Sequence, residues 1–364
     1  MPPSSRTLNY DALLSSTLDN YRDKLTDNIF ASSVFLSAIK SEGGYETRDG
    51  GDKIKVPLMY GKTPVTSYSG YDTLDTTPAD GITSAFADWR QLSTPIAISR
   101  IEERKNSGQA ELFNLLKAKI QQAEMSLTEE INFQLLGKTV SGTAFINGND
   151  DKDLDPLAFY VPKDPTASVS VSNINRNTYS WWRSRSIDGS SDGATSKDSG
   201  ALKGYDLNTW AELTAALRAL YNYCSRGAGG SPNMVLTDQE GFETFEAALD
   251  NKTRYMQQAK GQLAFDNVMF KAGCPMYWDE MVPDLENSRA YDNRHATPTS
   301  TFFMLNTKFI KFIVDSQTNF ITTPFVRPEN QDAKVAQIML YGNLCVSNLR
   351  KIGALYGVGQ TIAA

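Results

Sequence analysis

Leu305–Val358 reads LNTKFIKFIVDSQTNFITTPFVRPENQDAKVAQIMLYGNLCVSNLRKIGALYGV. With STFFM just before it, this block holds three apolar, β-rich runs: STFFMLNTKFIKFIVDS, ITTPFVRP and AKVAQIMLYGNLCVSNLRKIGALYGV. Asn, Asp, Gln and Pro separate the runs, as turn formers separate strands. Val, Ile, Phe and Tyr suit a pleated, packed surface. Gly342, inside the longest run, reads as a bulge or kink. The chain therefore ends in strands.

Working back, SPNMVLTDQEGFETFEAAL (Ser231–Leu249) reads as a short buried strand feeding a helix. LNTWAELTAALRALYNYCSRG before it is an amphipathic helix through Leu213, Leu217, Leu220 and Cys224, stopped at Gly227. Residues 141–204 are polar and irregular, with the Ser/Gly/Asp-rich SIDGSSDGATSKDSG near their end. GQAELFNLLKAKIQQAEMSLTEEINFQLLGK carries the strongest helical stripe: Leu112, Leu116, Ile120, Ala123, Leu127, Ile131 and Leu135. Ser107 offers its N-cap and Gly137 its stop, so a helix over 108–137 is predicted, roughly 45 Å long at 1.5 Å per residue. IKVPLMY and ITSAFADWRQLSTPIAISR bracket the turn-rich TSYSGYDTLDTTPADG and predict a two-stranded arm. Neither face of its second strand is uniformly apolar, and an isolated hairpin is marginal in water. Such an arm must lie on something else. Near the N-terminus, Leu14, Leu18, Tyr21, Leu25 and Ile29 form one helical stripe.

With 364 residues, 40% hydrophobic and 21% charged, the chain suits two domains or one with long excursions. The formal charge of −6 opposes broad attraction to a phosphate backbone, while leaving room for a local basic patch. No apolar run approaches the roughly 20 residues of a membrane helix, and the N-terminus lacks a signal-peptide core. Cys224, Cys274 and Cys345 are far apart and odd in number, which predicts no disulfide framework. Chemistry is sparsely provided. His295, the only histidine, sits in the loop-like DNRHATPTS. No metal-ligand cluster, nucleophile elbow, phosphate loop or dinucleotide fingerprint is present, so neither catalytic residues nor a cofactor or metal are expected. NGNDDKDLD (Asn147–Asp155) alternates oxygen ligands but lacks the glycine and terminal glutamate of a calcium loop, and reads as a solvated acidic loop.

YSWWRSRS (Tyr179–Ser186) can be read two ways. Rings beside guanidinium groups suit single-stranded nucleic acid. They also anchor packing within and between proteins. An acidic chain with 42 carboxylates favours the second, so Trp181, Trp182, Arg183 and Arg185 are expected as packing anchors, with Trp89 and Arg90 on the arm.

In this order the features resemble tailed-bacteriophage major capsid proteins of the Hong Kong 97 fold. The closing block looks like their C-terminal part. Before it stand an arm, the hairpin from GGDKIKVPLMYG to about Arg100, a long helix, NR-x-x-Y-x-WWR (Asn175–Arg183), a helix and the SPNMVLT strand. The likeness covers nearly the whole chain. It implies an α+β phage capsid fold with an N-terminal arm (1–49), an extended β-hairpin loop reaching a neighbouring subunit (50–107), a peripheral domain with spine helix 108–137 (108–205), an axial domain (206–320) and peripheral return strands (321–364). The implied function is structural: a major capsid protein, not an enzyme, assembling through pentamers and hexamers into an icosahedral shell around double-stranded DNA. The implied partners are further copies of the chain, a separate scaffolding protein, a portal, a decoration protein and weakly held DNA. The implied location is the virion, assembled in the host bacterial cytoplasm without a membrane. An encapsulin-like shell around a cargo enzyme is the alternative on the same fold. Relatives that cross-link use a loop lysine and a peripheral asparagine. Lys53, Lys55 and Lys62 with Asn330 or Asn343 stand in those regions, but no cross-link is expected. No long N-terminal scaffolding segment is expected before the hairpin.

Overall fold

The β-branched and aromatic runs at the C-terminus do form strands, and they organise two sheets. The computed structural model describes residues 34–74, 77, 80–105, 115–136, 152–188, 195–196, 207, 209–227, 229–250, 268–271, 273–279, 281–282, 299–319, 321–329 and 331–359. The N-terminal stripe, His295, Asn330, Leu112, the Ser107 cap and the Gly137 stop lie outside them.

The chain divides into two units. The smaller takes in residues 1–31, 92–130 and 317–340. In it, β4 (Arg90–Ser99) and β14 (Ile321–Thr322) both pair with β15 (Ala333–Val346), β14 through Ile321 opposite Met339. Ile96, Ile98, Ala336, Ile338 and Leu340 are its buried strand residues. A short helix, α2 (Arg100–Lys105), follows β4 through a capping box: Glu102 N donates to Ser99 Oγ and Ser99 N donates to Glu102 Oε2, both at 3.3 Å. The helix predicted over 108–137 is described as α3, Leu115–Leu136. Ala123 and Leu127 are buried on it, as are Ile131 and Leu135 beyond Glu130. Leu116 and Ile120 lie on the same helix.

The larger unit takes in residues 32–91, 131–316 and 341–364. Its principal sheet has seven strands in the order β10 (Val268–Lys271), β11 (Cys274–Trp278), β9 (Met234–Thr237), β12 (Thr299–Leu305), β16 (Gly353–Gly359), β7 (Arg185–Asp188) and β8 (Thr195–Ser196). β11 runs parallel to β9 and β16 parallel to β7; the other pairs are antiparallel. Helices α5 (Trp210–Ser225) and α6 (Gln239–Asp250) cover it, burying Leu213, Leu217, Leu220 and Phe245 with Val235, Met276 and Phe302. As expected, α5 ends near Gly227, at φ +86°. Outside this sheet lie α1 (Val34–Ser41), α4 (Leu157–Tyr160) and the antiparallel pair β5 (Ser170–Val171) and β6 (Ile174–Asn175). There too, β1 (Tyr45–Arg48) runs parallel to β13 (Ile310–Asp315), and β13 pairs antiparallel with the second half of β15.

Gly342 is no bulge. The β13–β15 ladder passes it in register, opposite Val314. A Cβ there would lie 2.7 Å from Ile313 O, so the position needs glycine for close approach of backbones.

Candidate assembly surface

The hairpin is one element with two characters. β2 (Ile54–Met59) pairs with β3 (Ile82–Ala87) so that Ile54 meets Ala87 and Val56 meets Ala85. These four and Leu58 are buried, so the base does have an apolar face, covered by the rest of its own chain. Alternation along IKVPLM produces it: every second residue turns inward. Phe86 N donates to Ser172 O at 3.1 Å, Trp89 Nε1 donates to Gly51 O at 2.9 Å, and Lys53 pairs with Asp88 at 3.0 Å. Past Tyr60 this ends. Gly61 and Gly81 touch, where a Cβ on Gly61 would lie 2.7 Å from Gly81 Cα. Beyond them Val65 is 95% exposed, and Tyr68, Tyr71 and Leu74 are exposed too, with Met59 and Ile82 at the root. Apolar groups concentrated on one solvent-facing element mark an interaction surface.

The aromatic–arginine segment turns inward instead. Trp182 is 1% exposed and its Nε1 donates to Val171 O at 3.0 Å. Arg183 is buried, its Nε donating to Arg176 O and its Nη2 to Asn177 O, both at 2.6 Å. Arg185 is buried with its guanidinium 4.1 Å from the Tyr223 ring centroid. Trp181 is half-buried and stacks on Tyr60, centroids 4.7 Å apart and planes 12° apart. Trp181 therefore ties the root of the hairpin to this segment. A ring and two guanidinium groups spent on internal partners cannot grip a single strand.

A third cluster joins Arg90 to residues that sequence spacing does not connect. Arg90 Nη2 lies 3.4 Å from Asp155 Oδ1. Asn343 Nδ2 donates to Asp155 Oδ2 and to Asp88 O at 2.9 Å, and its Oδ1 accepts from Asp155 N at 3.0 Å and Leu344 N at 2.8 Å. Asp153 and Asp155 are buried, which corrects their reading as part of a solvated acidic loop, and Asp155 is committed to Arg90 and Asn343. Residues 147–151 of that stretch lie outside the described residues. Among the described residues no group of His, Cys, Asp and Glu could hold a metal. The three cysteines are free and buried, and burial pushes each thiol up to about 12, far from reactivity at neutral pH.

Three interior polar residues escaped the sequence reading. Lys351, 2% exposed, places its ammonium 3.0–3.4 Å from the carbonyls of Ser225, Arg226, Gly227 and Gly230, capping α5. Asn132 Nδ2 donates to buried Asp279 at 3.2 Å, and Gln134 Oε1 accepts from Leu154 N at 3.0 Å. The only sequence signal was the glycine-rich SRGAGG after α5, whose carbonyls need a donor.

With this geometry the chain is similar to the capsid asymmetric unit of cyanophage A-1(L): TM-score 0.64, 16% identity, over 95% of this chain and 98% of that one. This is a phage capsid fold. The same capsid fold occurs in the holo-SrpI encapsulin complex of Synechococcus elongatus, at TM-score 0.56 and 10% identity over 97% of both chains. It occurs again in the capsid of a native GTA particle, at TM-score 0.51 and 14% identity over 95% of both chains. No family model and no curated protein matches the sequence.

Proposed function

We propose that this chain is the major capsid protein of a tailed bacteriophage, assembling through pentamers and hexamers into an icosahedral shell around double-stranded DNA. The observation that carries this reading is end-to-end likeness to a cyanophage capsid protein, with 95% and 98% of the two chains covered. The exposed apolar hairpin tip supports it. Val65, Tyr68, Tyr71 and Leu74 are exposed and suit burial on a neighbouring copy. In this reading residues 50–107 are the extended loop, 108–137 the spine, 206–320 the axial domain, and 321–364 the peripheral return strands. A separate scaffolding protein, a portal and a decoration protein belong to the same reading, as does assembly in the bacterial cytoplasm before residence in the virion. The protein is a structural component, not an enzyme. Many weak contacts per copy hold such a shell together and let misplaced copies leave while it grows.

An encapsulin-like compartment is the second reading, favoured by the likeness to the holo-SrpI complex. Negative-stain electron microscopy of the chain expressed alone, and with its scaffold where one exists, tests the shared claim. Shells, or rings of five and six, are the expected result; a monomer under every condition refutes both readings. Shells that copurify with one stoichiometric cellular enzyme favour the compartment over the virion.

A further inference from the structure

Three segments of the larger unit bring positive charge to one place. Arg185 opens β7, its backbone N–H donating to Ile352 O at 3.2 Å, and its guanidinium lies over the Tyr223 ring. Arg226 follows the last residue of α5, and its guanidinium lies 4.8 Å from the centroid of that same ring. Lys351, whose ammonium reaches Arg226 O at 3.1 Å, brings its chain neighbour Arg350 to the cluster. Two guanidinium groups thus lie at one tyrosine ring, with Lys351 reaching the Arg226 carbonyl and Arg350 next to it in the chain, in a protein whose net charge is −6.

The residues feel one another. Burial holds the Arg185 guanidinium below its ordinary range, and Arg350 and Arg226 add repulsion in the same direction. Lys351 is lowered chiefly by burial, again with Arg350 contributing. Arg185 and Lys351 are buried, whereas Arg226 and Arg350 are exposed. Neither exposed arginine has a carboxylate within 4 Å among the described residues.

We propose that Arg226 and Arg350, backed by Arg185 and Lys351, form a contact site for the phosphate backbone of duplex nucleic acid. A single carboxylate from a second copy would offset one of the two exposed charges. A duplex presents successive phosphates, so it neutralises more than one exposed arginine at once. The guanidinium fork matches phosphate oxygens bidentately. Tyr223 already stacks with two guanidinium groups, so the contact reads backbone and not bases. A few such contacts on an otherwise acidic wall hold DNA weakly. The inference rests on the shell reading only for the source of the duplex.

The test is fluorescence anisotropy of a labelled DNA duplex titrated with the purified full chain across a salt series, with light scattering following self-association. Arg226→Gln/Arg350→Gln is the test variant, and Arg218→Gln, exposed on the same helix, is the control. The double variant is expected to bind about tenfold more weakly at low salt, with the salt slope shallower by about 2, while the control matches wild type. A wild-type chain that does not bind duplex, or a double variant with an unchanged slope, overturns the proposal. Loss of self-association at an unchanged slope also overturns it, and assigns the arginines to carboxylates of a second copy. Because binding and association are read separately, absence of particles with an intact slope refutes the shell and leaves the phosphate site standing.

Discussion

Lys351 and Asp238 show how single polar residues set stability. The Lys351 ammonium satisfies carbonyls at the C-terminal end of α5, where the helix dipole is negative. Lys351→Met keeps the stem and removes the donor. It should cost about 2–4 kcal/mol, read as a lower urea midpoint at unchanged m-value. Asp238, half-buried ahead of α6, accepts from Ser300 Oγ at 2.9 Å and Thr237 Oγ1 at 3.1 Å. Burial raises its carboxyl from 3.8 to about 6, with these hydrogen bonds acting in the opposite sense. The folded form holds this proton more tightly than the unfolded chain. Its contribution is complete below 3.8 and is lost as pH rises through about 6. Asp238→Asn should therefore raise stability at pH 7 by about 1 kcal/mol and flatten this acid-side gain. Denaturation midpoints at pH 5 and pH 7 check this; an equal gap in both proteins would refute the assignment. Neither residue was legible beforehand, because a lysine or aspartate in sequence carries no mark of burial. Trp182 and Arg183 are buried, and their partners, the carbonyls of Val171, Arg176 and Asn177, are backbone groups that no side-chain pattern announces.

At the scale of elements, the hairpin lets stability and the proposed assembly contact be tested apart. Leu58 is buried at its base, and Leu58→Ala should cost about 2–3 kcal/mol in the folded chain. Tyr68 and Tyr71 are exposed beyond the glycine pair, so Tyr68→Ser/Tyr71→Ser should change stability by less than about 0.5 kcal/mol. The same double variant should lose particles by electron microscopy. Particles at wild-type yield would remove the tip from the assembly contact. Sequence periodicity found the hairpin strands but missed the buried face, because β2 supplies that face and β3 contributes only alanines to it. It found the spine stripe, whose residues Ala123, Leu127, Ile131 and Leu135 are buried. Asn132 and Gln134 are not members of that stripe, yet both are interior. A polar side chain enters a core once a partner waits there, and Asp279 and the Leu154 amide lie 147 and 20 residues away. Ser99-x-x-Glu102 is a capping box that its own sequence spacing announces, and it starts the short helix Arg100–Lys105 ahead of the long one.

For the molecule as a whole, the order of elements was readable because each carries its own local period, and the closing strands follow from composition alone. Sheet order was not, since β7 beside β16 and β9 beside β11 are non-local pairings. The same long-range packing decides whether a shell of this chain can be welded covalently. A lysine–asparagine cross-link needs an asparagine carboxamide open to attack. Asn343 is fully buried, its nitrogen donating to Asp155 and Asp88 and its oxygen accepting two backbone amides. Lys53 is engaged by Asp88, which raises its pKa through a hydrogen bond and favours the non-nucleophilic ammonium. Reaching Asn343 would require breaking the Arg90–Asp155–Asn343 network that fixes the hairpin base. Purified particles boiled in detergent should therefore run as one band near 40 kDa, the mass of a single chain. A ladder of multimers would refute this, and the same gel on Asn343→Asp particles would then show whether Asn343 is the partner.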